Sequence, residues 1–214
     1  MSDKSNKYGY VGVDIPAQSF GSNKGVFNPA EINDLVADNK WTSFGQLELI
    51  ETKNVSASAS AIFTDIKADI YNVHFMTVNN FDPSVDDRGL CIRFYENGVE
   101  ESGTVYQVAY QYGIVTGTFG EDRVTNRTFL NGSFNAGTGT NEVSNSYNYF
   151  YNLGDSSKYS FQTMHNMNTN ISTQGIFAFG SGVLPQASTV DQIKCFVTSG
   201  TFSGTISLYG IRYS

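Results

Sequence analysis

From Gln46 onward, apolar residues recur at every second position in short runs, and clusters of Gly, Asn, Asp and Ser separate the runs. Leu47 and Leu49 share a side. Tyr71, Val73 and Phe75 share one face, with Asn72, His74 and Met76 opposite. Leu90, Ile92 and Phe94 repeat the pattern, as do Tyr106, Val108, Tyr110 and Tyr112. Further runs lie at 60–65, 124–130, 147–153, 158–166, 175–180, 192–198 and 204–212. A period of two sends successive side chains to opposite faces of a strand, so the pattern demands sheets. Asn97-Gly98 predicts a tight hairpin, because both residues tolerate the positive φ of a type I′ turn. About nine to eleven strands with short turns predict an all-β, antiparallel β-sandwich, most simply jelly-roll-like. No repeat of roughly 20–50 residues occurs, which argues against a propeller or solenoid.

Composition fits one such unit. The chain has 214 residues, and β-sandwiches run to about 200–250 as single domains. Charged residues make up 15% and aromatics 14%, where an average soluble protein has roughly 25% charged. Disorder needs the opposite balance. The net charge is −7, and no basic cluster exists to neutralise phosphates or to grip an anionic bilayer. We therefore expect no nucleic-acid partner and no membrane partner. No run approaches the roughly 18 apolar residues of a membrane helix. Met1 to Lys7 lacks the apolar stretch of a secretory leader, which predicts a chain made in the cytoplasm.

Residues 1–43 differ. Gly9, Gly12, Gly21 and Gly25 stand among Ser and Asn, and apolar residues are sparse. This predicts an extended arm that needs a partner surface, or the rest of the domain, to order it. The arm holds one helix signal, over about 29–38. Asn28 can cap, Pro29 suits the first turn, and Glu31 completes a capping box. Ile32, Leu35 and Val36 then share a face, and Trp41 follows as an anchor. The expected division is an arm over 1–43 and a sandwich over 44–214.

Chemistry is sparse. Cys91 and Cys195 sit in apolar runs and read as buried free thiols on strands, a disulfide being the alternative. His74 and His165 lie in strand-like segments without a nucleophile elbow, and hydrogen-bonded structural histidines are expected. Glu48, Glu51, Glu96, Glu100, Glu101, Glu121 and Glu142 could serve glycosidase chemistry only in facing pairs, and nothing in the sequence pairs them. We expect no enzyme, no cofactor and no resident metal. Asp82, Asp86 and Asp87 are oxygen ligands of the type calcium takes, yet they miss the EF-hand spacing and equally suit turns.

Two long polar loops, 79–89 and 132–146, are the places where a rigid scaffold usually binds. They supply candidate ligand or receptor contacts at Asp82, Asp86, Asp87, Asn135, Thr138 and Asn141. Tyr147, Tyr149 and Tyr151 alternate on one face of a strand. They read first as one face of a core strand with Phe150 on the other, and second as a sugar platform or subunit interface.

Several strings then assemble into a familiar order: Phe44-Gly45-Gln46-Leu47-Glu48-Leu49-Ile50-Glu51, then Tyr71-Asn72-Val73-His74-Phe75, then Leu90-Cys91-Ile92-Arg93-Phe94-Tyr95-Glu96-Asn97-Gly98. Gly180-Ser181-Gly182-Val183-Leu184-Pro185-Gln186-Ala187 follows, and Gly204-Thr205-Ile206-Ser207-Leu208-Tyr209-Gly210-Ile211 closes the chain. This order resembles the modules of head-fibre, capsid-decoration and tail-fibre proteins of bacteriophages, notably marine ones, over about residues 44–214. The resemblance implies a non-enzymatic virion structural protein, often a homotrimer, exposed on the particle. Its partners would be the major capsid protein or tail proteins, and a host-surface glycan in an adhesin. The chain lacks the heptads of a fibre shaft, which favours a decoration or head-fibre protein over a tail fibre or fibre-tip adhesin. Attachment would then fall to the arm, through Ile15, Phe20, Val26, Phe27, Ile32 and Leu35.

Overall fold

The computed structural model describes Phe27, residues 29–37 and residues 47–211. The chain divides into two units, residues 1–45 with Ser214, and residues 46–213. Within the first unit, helix α1 spans Pro29–Ala37 and carries Glu31 in its first turn. None of its residues is buried. Ile32 and Leu35 are half-covered and Val36 is exposed, so the expected docked stripe is only partly shielded. Asn28, Asp38 and Trp41 lie outside the described residues, as do Ile15, Phe20 and Val26.

The second unit is an antiparallel β-sandwich, as the alternation predicts. Its strands are β1 (Leu47–Ser58), β2 (Ser60–Phe63), β3 (Val73–Pro83), β4 (Cys91–Glu96), β5 (Val99–Glu100), β6 (Tyr106–Ile114) and β7 (Phe119–Arg127). They continue with β8 (Leu130–Asn131), β9 (Ser144–Tyr151), β10 (Tyr159–Thr169), β11 (Gly175–Ala187), β12 (Val190–Phe196) and β13 (Phe202–Ile211). One sheet has eight strands in the order β1-β13-β3-β9-β10-β11-β6-β7; the other runs β2-β12-β4-β5, with β8 beside β4. Strands distant in sequence are therefore neighbours, in the manner of a jelly roll, but the two sheets are unequal.

The β4–β5 hairpin turns at Asn97 (φ 53°) and Gly98 (φ 75°), with Glu96 paired to Val99. That is the left-handed pair a type I′ turn needs. Other boundaries moved. The run at 124–130 is split: its start belongs to β7, which begins at Phe119 and folds back on β6, and Leu130 opens β8 beside β4. β11 continues through Gly180 and Gly182 to Ala187. There the glycines let β6 approach closely: a methyl at Gly180 would lie 2.4 Å from the Ala109 carbonyl oxygen.

The core lies between the sheets. Phe94 meets Phe150 at 5.9 Å and Tyr106 at 6.2 Å, and Phe81 meets Phe202 at 5.5 Å. Tyr106 is fully buried and satisfies its hydroxyl twice, accepting from the Phe94 N–H and donating to the Glu101 carbonyl. Cys91 pairs with Phe196 and Cys195 with Ile92. Adjacent residues of a strand point to opposite faces, so the two sulfurs sit on different sides of the small sheet. Both are free and buried, and burial pushes each thiol up to about 12. The buried free-thiol reading holds, and the disulfide does not.

On β9 and β10 the usual inside-out rule is inverted. Their core-facing positions include Ser144, Ser146 and Asn148 on β9, and Gln162, Asn166 and Asn168 on β10, all buried. A buried amide without a partner costs about 1–3 kcal/mol in proteins, and here partners are supplied by the segment 131–137. The Gly132 carbonyl accepts from Ser146 Oγ and Asn148 Nδ2. The Asn131 carbonyl accepts from Gln162 Nε2, and the Asn135 carbonyl from Asn168 Nδ2. The Phe134 N–H donates to Asn166 Oδ1. This part of the expected 132–146 binding loop is thus a plug packed beneath the large sheet.

Candidate binding face

If amides occupy the inner positions of β9 and β10, their rings and thioether must point outward. Tyr147, Tyr149 and Tyr151 do so, while Phe150 enters the core. The tyrosines thus share one face of an interior strand with Phe150 on the other, and theirs is the outer face of the large sheet. Across the neighbouring strands the same outer face carries Tyr209 and Phe75, then His165, then Phe179 and Phe177, then Phe119. Successive rings lie close: Tyr209 to Phe75 is 6.1 Å, Phe75 to Tyr149 4.8 Å, and Phe75 to Tyr147 6.1 Å. Tyr147 to His165 is 5.2 Å, and His165 to Phe179, Phe179 to Phe177 and Phe177 to Phe119 are each 6.4 Å. These offset and edge contacts are the arrangements aromatic quadrupoles favour.

One residue without a side chain keeps the band continuous. Gly113 on β6 lies beneath the meeting point of Phe177 and Phe119, and a methyl there would sit 2.6 Å from Phe177 and 3.0 Å from Phe119. Rings from β11 and β7 thus close over an otherwise empty stretch of backbone. The band stands open to solvent: Tyr147 is 43% exposed, Met167 65% and Phe119 77%. Contiguous exposed apolar surface of this kind usually marks a contact site.

At the centre of the band is a groove of about 280 Å³, lined by Phe75, Thr77, Asn79, Tyr147, His165 and Phe177, among others. The Tyr147 hydroxyl and His165 Nδ1 are 2.6 Å apart. With the hydroxyl donating, the neutral imidazole keeps its proton on Nε2. Asn145, at the groove edge, has its Oδ1 held by the Asn80 N–H at 2.9 Å. An apolar floor with fixed polar tips results. Farther along the same face, Gln107, Ala109, Arg123, Phe161 and Ser181 border a second, wider depression of about 570 Å³.

The other expected contact residues lie elsewhere. Asp86 and Asp87 are exposed, and the two long loops meet there: Arg88 bridges to Ala136, and Asn135 Nδ2 donates to Asp87 Oδ1 at 3.1 Å. The Asp86 carboxylate accepts the Asp87 N–H. Asp82 is exposed near the end of β3, and Thr138 and Asn141 are exposed beyond the plug. Among the described residues, no three His, Cys, Asp or Glu side chains converge as a metal site would require.

The carboxylates are engaged as well. Glu100 takes Arg93 and Lys194 at 2.7 Å each, and Tyr95 at 3.1 Å. Burial pushes its carboxyl up, but these donors outweigh it and hold the group below its ordinary value. Glu48 accepts from the Tyr71 hydroxyl, and buried Glu142 accepts the Gly139 N–H. His74 is buried with Nε2 2.7 Å from the Ile66 carbonyl. Both histidines are hydrogen-bonded within strands, as expected, but only His165 faces solvent.

Sequence reasoning missed Phe75, His165, Met167, Phe177 and Phe179 as members of one surface. The available signal was the facing positions: Gln162, Asn166 and Asn168 alternate with Phe161, His165 and Met167, and only a polar plug explains amides on the inner side. No family model matches the sequence, and no curated protein or solved structure matches it significantly.

Proposed function

We propose that this chain is a non-enzymatic structural protein of a bacteriophage particle. In this reading the sandwich is displayed on the virion as a capsid-decoration or head-fibre protein, and residues 1–43 attach it to the major capsid protein or a tail protein. The observation that carries it is the uncovered aromatic band from Tyr209 to Phe119, a surface suited to contact rather than turnover. The resemblance of these strings to the modules of phage particle proteins supports the same reading. The resemblance implies a homotrimer, which closes through heterologous interfaces between its three copies.

A tail-fibre or fibre-tip adhesin for host-surface carbohydrate is the second reading, favoured by the groove at Tyr147 and His165. Gradient-purified particles made with the full chain, or with the chain lacking residues 1–43, test the proposal. The expected result is the full chain in the particle fraction and the shortened chain left in the supernatant. Retention of the shortened chain at full copy number would refute the attachment role of the arm. Absence of both forms from particles would refute the particle reading.

A further inference from the structure

We propose that the groove between Phe75, Tyr147, His165 and Phe177 is a binding site for a neutral oligosaccharide. This inference deepens the reading of the chain as a contact protein and rests on it. Two features of the groove select the ligand class. Its floor is built from ring faces and edges, which cover the C–H face of a pyranose without needing a flexible side chain to be ordered. Its polar groups are few and pre-set: the Tyr147 hydroxyl is held by His165 Nδ1, and Asn79, Thr77 and Asn145 stand at the margin. Such a mixture is the ordinary make-up of a small-molecule site, an apolar surface with a few fixed hydrogen-bonding groups.

Charge decides between classes of sugar. The whole chain carries 20 acidic and 13 basic residues, yet no Asp, Glu, Lys or Arg lines this groove. A sulfated, sialylated or uronic-acid chain would find no cation there to pair with its desolvated charge. A neutral chain has none to pair. The band also extends past the groove on both sides, through Tyr149 and Tyr209 one way and Phe179 the other. Neighbouring sugar residues can therefore stack in series, so longer oligosaccharides should bind more tightly than disaccharides.

The test is calorimetric titration of the purified full chain with maltohexaose, cellohexaose, laminarihexaose, mannohexaose and chitohexaose, with hexagalacturonate as the charged probe. At least one neutral hexasaccharide should bind saturably, more tightly than its disaccharide and more tightly than hexagalacturonate. Tyr147→Ala and Phe177→Ala should each weaken that binding about tenfold. The conservative Tyr147→Phe and His165→Gln should weaken it less, with the melting temperature unchanged as a check of folding. Failure of every neutral probe to bind the wild-type chain would overturn the proposal, as would tighter binding of hexagalacturonate. So would a wild-type oligomer that Phe177→Ala dissociates to monomer without any sugar bound, because the band would then be covered by a second copy. Appearance of shorter sugars during the titration would leave the site standing and refute the non-enzymatic reading. Sugar binding by a chain absent from particles would refute only the particle reading.

Discussion

His74 shows how one buried group ties this fold to pH. Its ring is fully enclosed with Nε2 against the Ile66 carbonyl. Desolvation lowers its pKa below the ordinary 6.5, and the backbone hydrogen bond only partly offsets this. In the folded chain the ring therefore resists protonation, whereas in the unfolded chain it gains a proton as pH falls through 6.5. The unfolded state then binds more protons, so stability falls with acidification below that value. Urea unfolding at pH 7.5 and 5.5 should show a loss at the lower pH that is smaller in His74→Gln. Equal losses in both proteins would assign the effect to other groups. Glu100 acts in the same direction at lower pH, since its depressed carboxyl contributes stability above about 4.5 that is lost as it protonates.

At the scale of elements, the plug at 131–137 and the strands above it stabilise each other. Asn166 accepts from the Phe134 N–H and donates to Ser144 Oγ and the Asn145 carbonyl. Asn166→Leu should cost about 1–3 kcal/mol for each buried group left without a partner. The outward-facing control Thr163→Val should cost less than about 0.5 kcal/mol. Denaturant midpoints distinguish them, and equal midpoints would mean that the plug contributes nothing. Gly180→Ala is a second probe, because its methyl would meet the β6 backbone rather than a movable side chain. The two strands must then separate, at about 1–3 kcal/mol.

The legibility of these elements follows from the same physics. The β4–β5 hairpin was plain in the sequence because Asn97 and Gly98 signal it locally. The strands of β3, β4, β6 and β13 were plain because one face is apolar. β9 and β10 deceived in their facing, because alternation says which residues share a side but not which side is inward. Only the amide-to-backbone contacts with 131–137, contributed from elsewhere in the chain, decide that. The loops at 79–89 and 132–146 stood out in the sequence by their length, while the aromatic sheet face did not, because it is assembled from several strands. The three tyrosines of β9 were visible as a set; their partners on β3, β10 and β11 were not, because register between distant strands brings them together.

Over the whole molecule, an acidic chain of net charge −7 keeps an uncharged aromatic groove open on its larger sheet. Carboxylates elsewhere, such as Glu100 and Glu48, are held in hydrogen bonds that shape the sandwich. Display of this chain on a particle is the central proposal. Immunogold labelling of intact, gradient-purified particles with antibody raised against residues 47–211 tests that claim most directly. Gold should lie on the outside of unbroken particles, at a regular position. Label confined to unassembled protein in the lysate, with unlabelled particles, would contradict it.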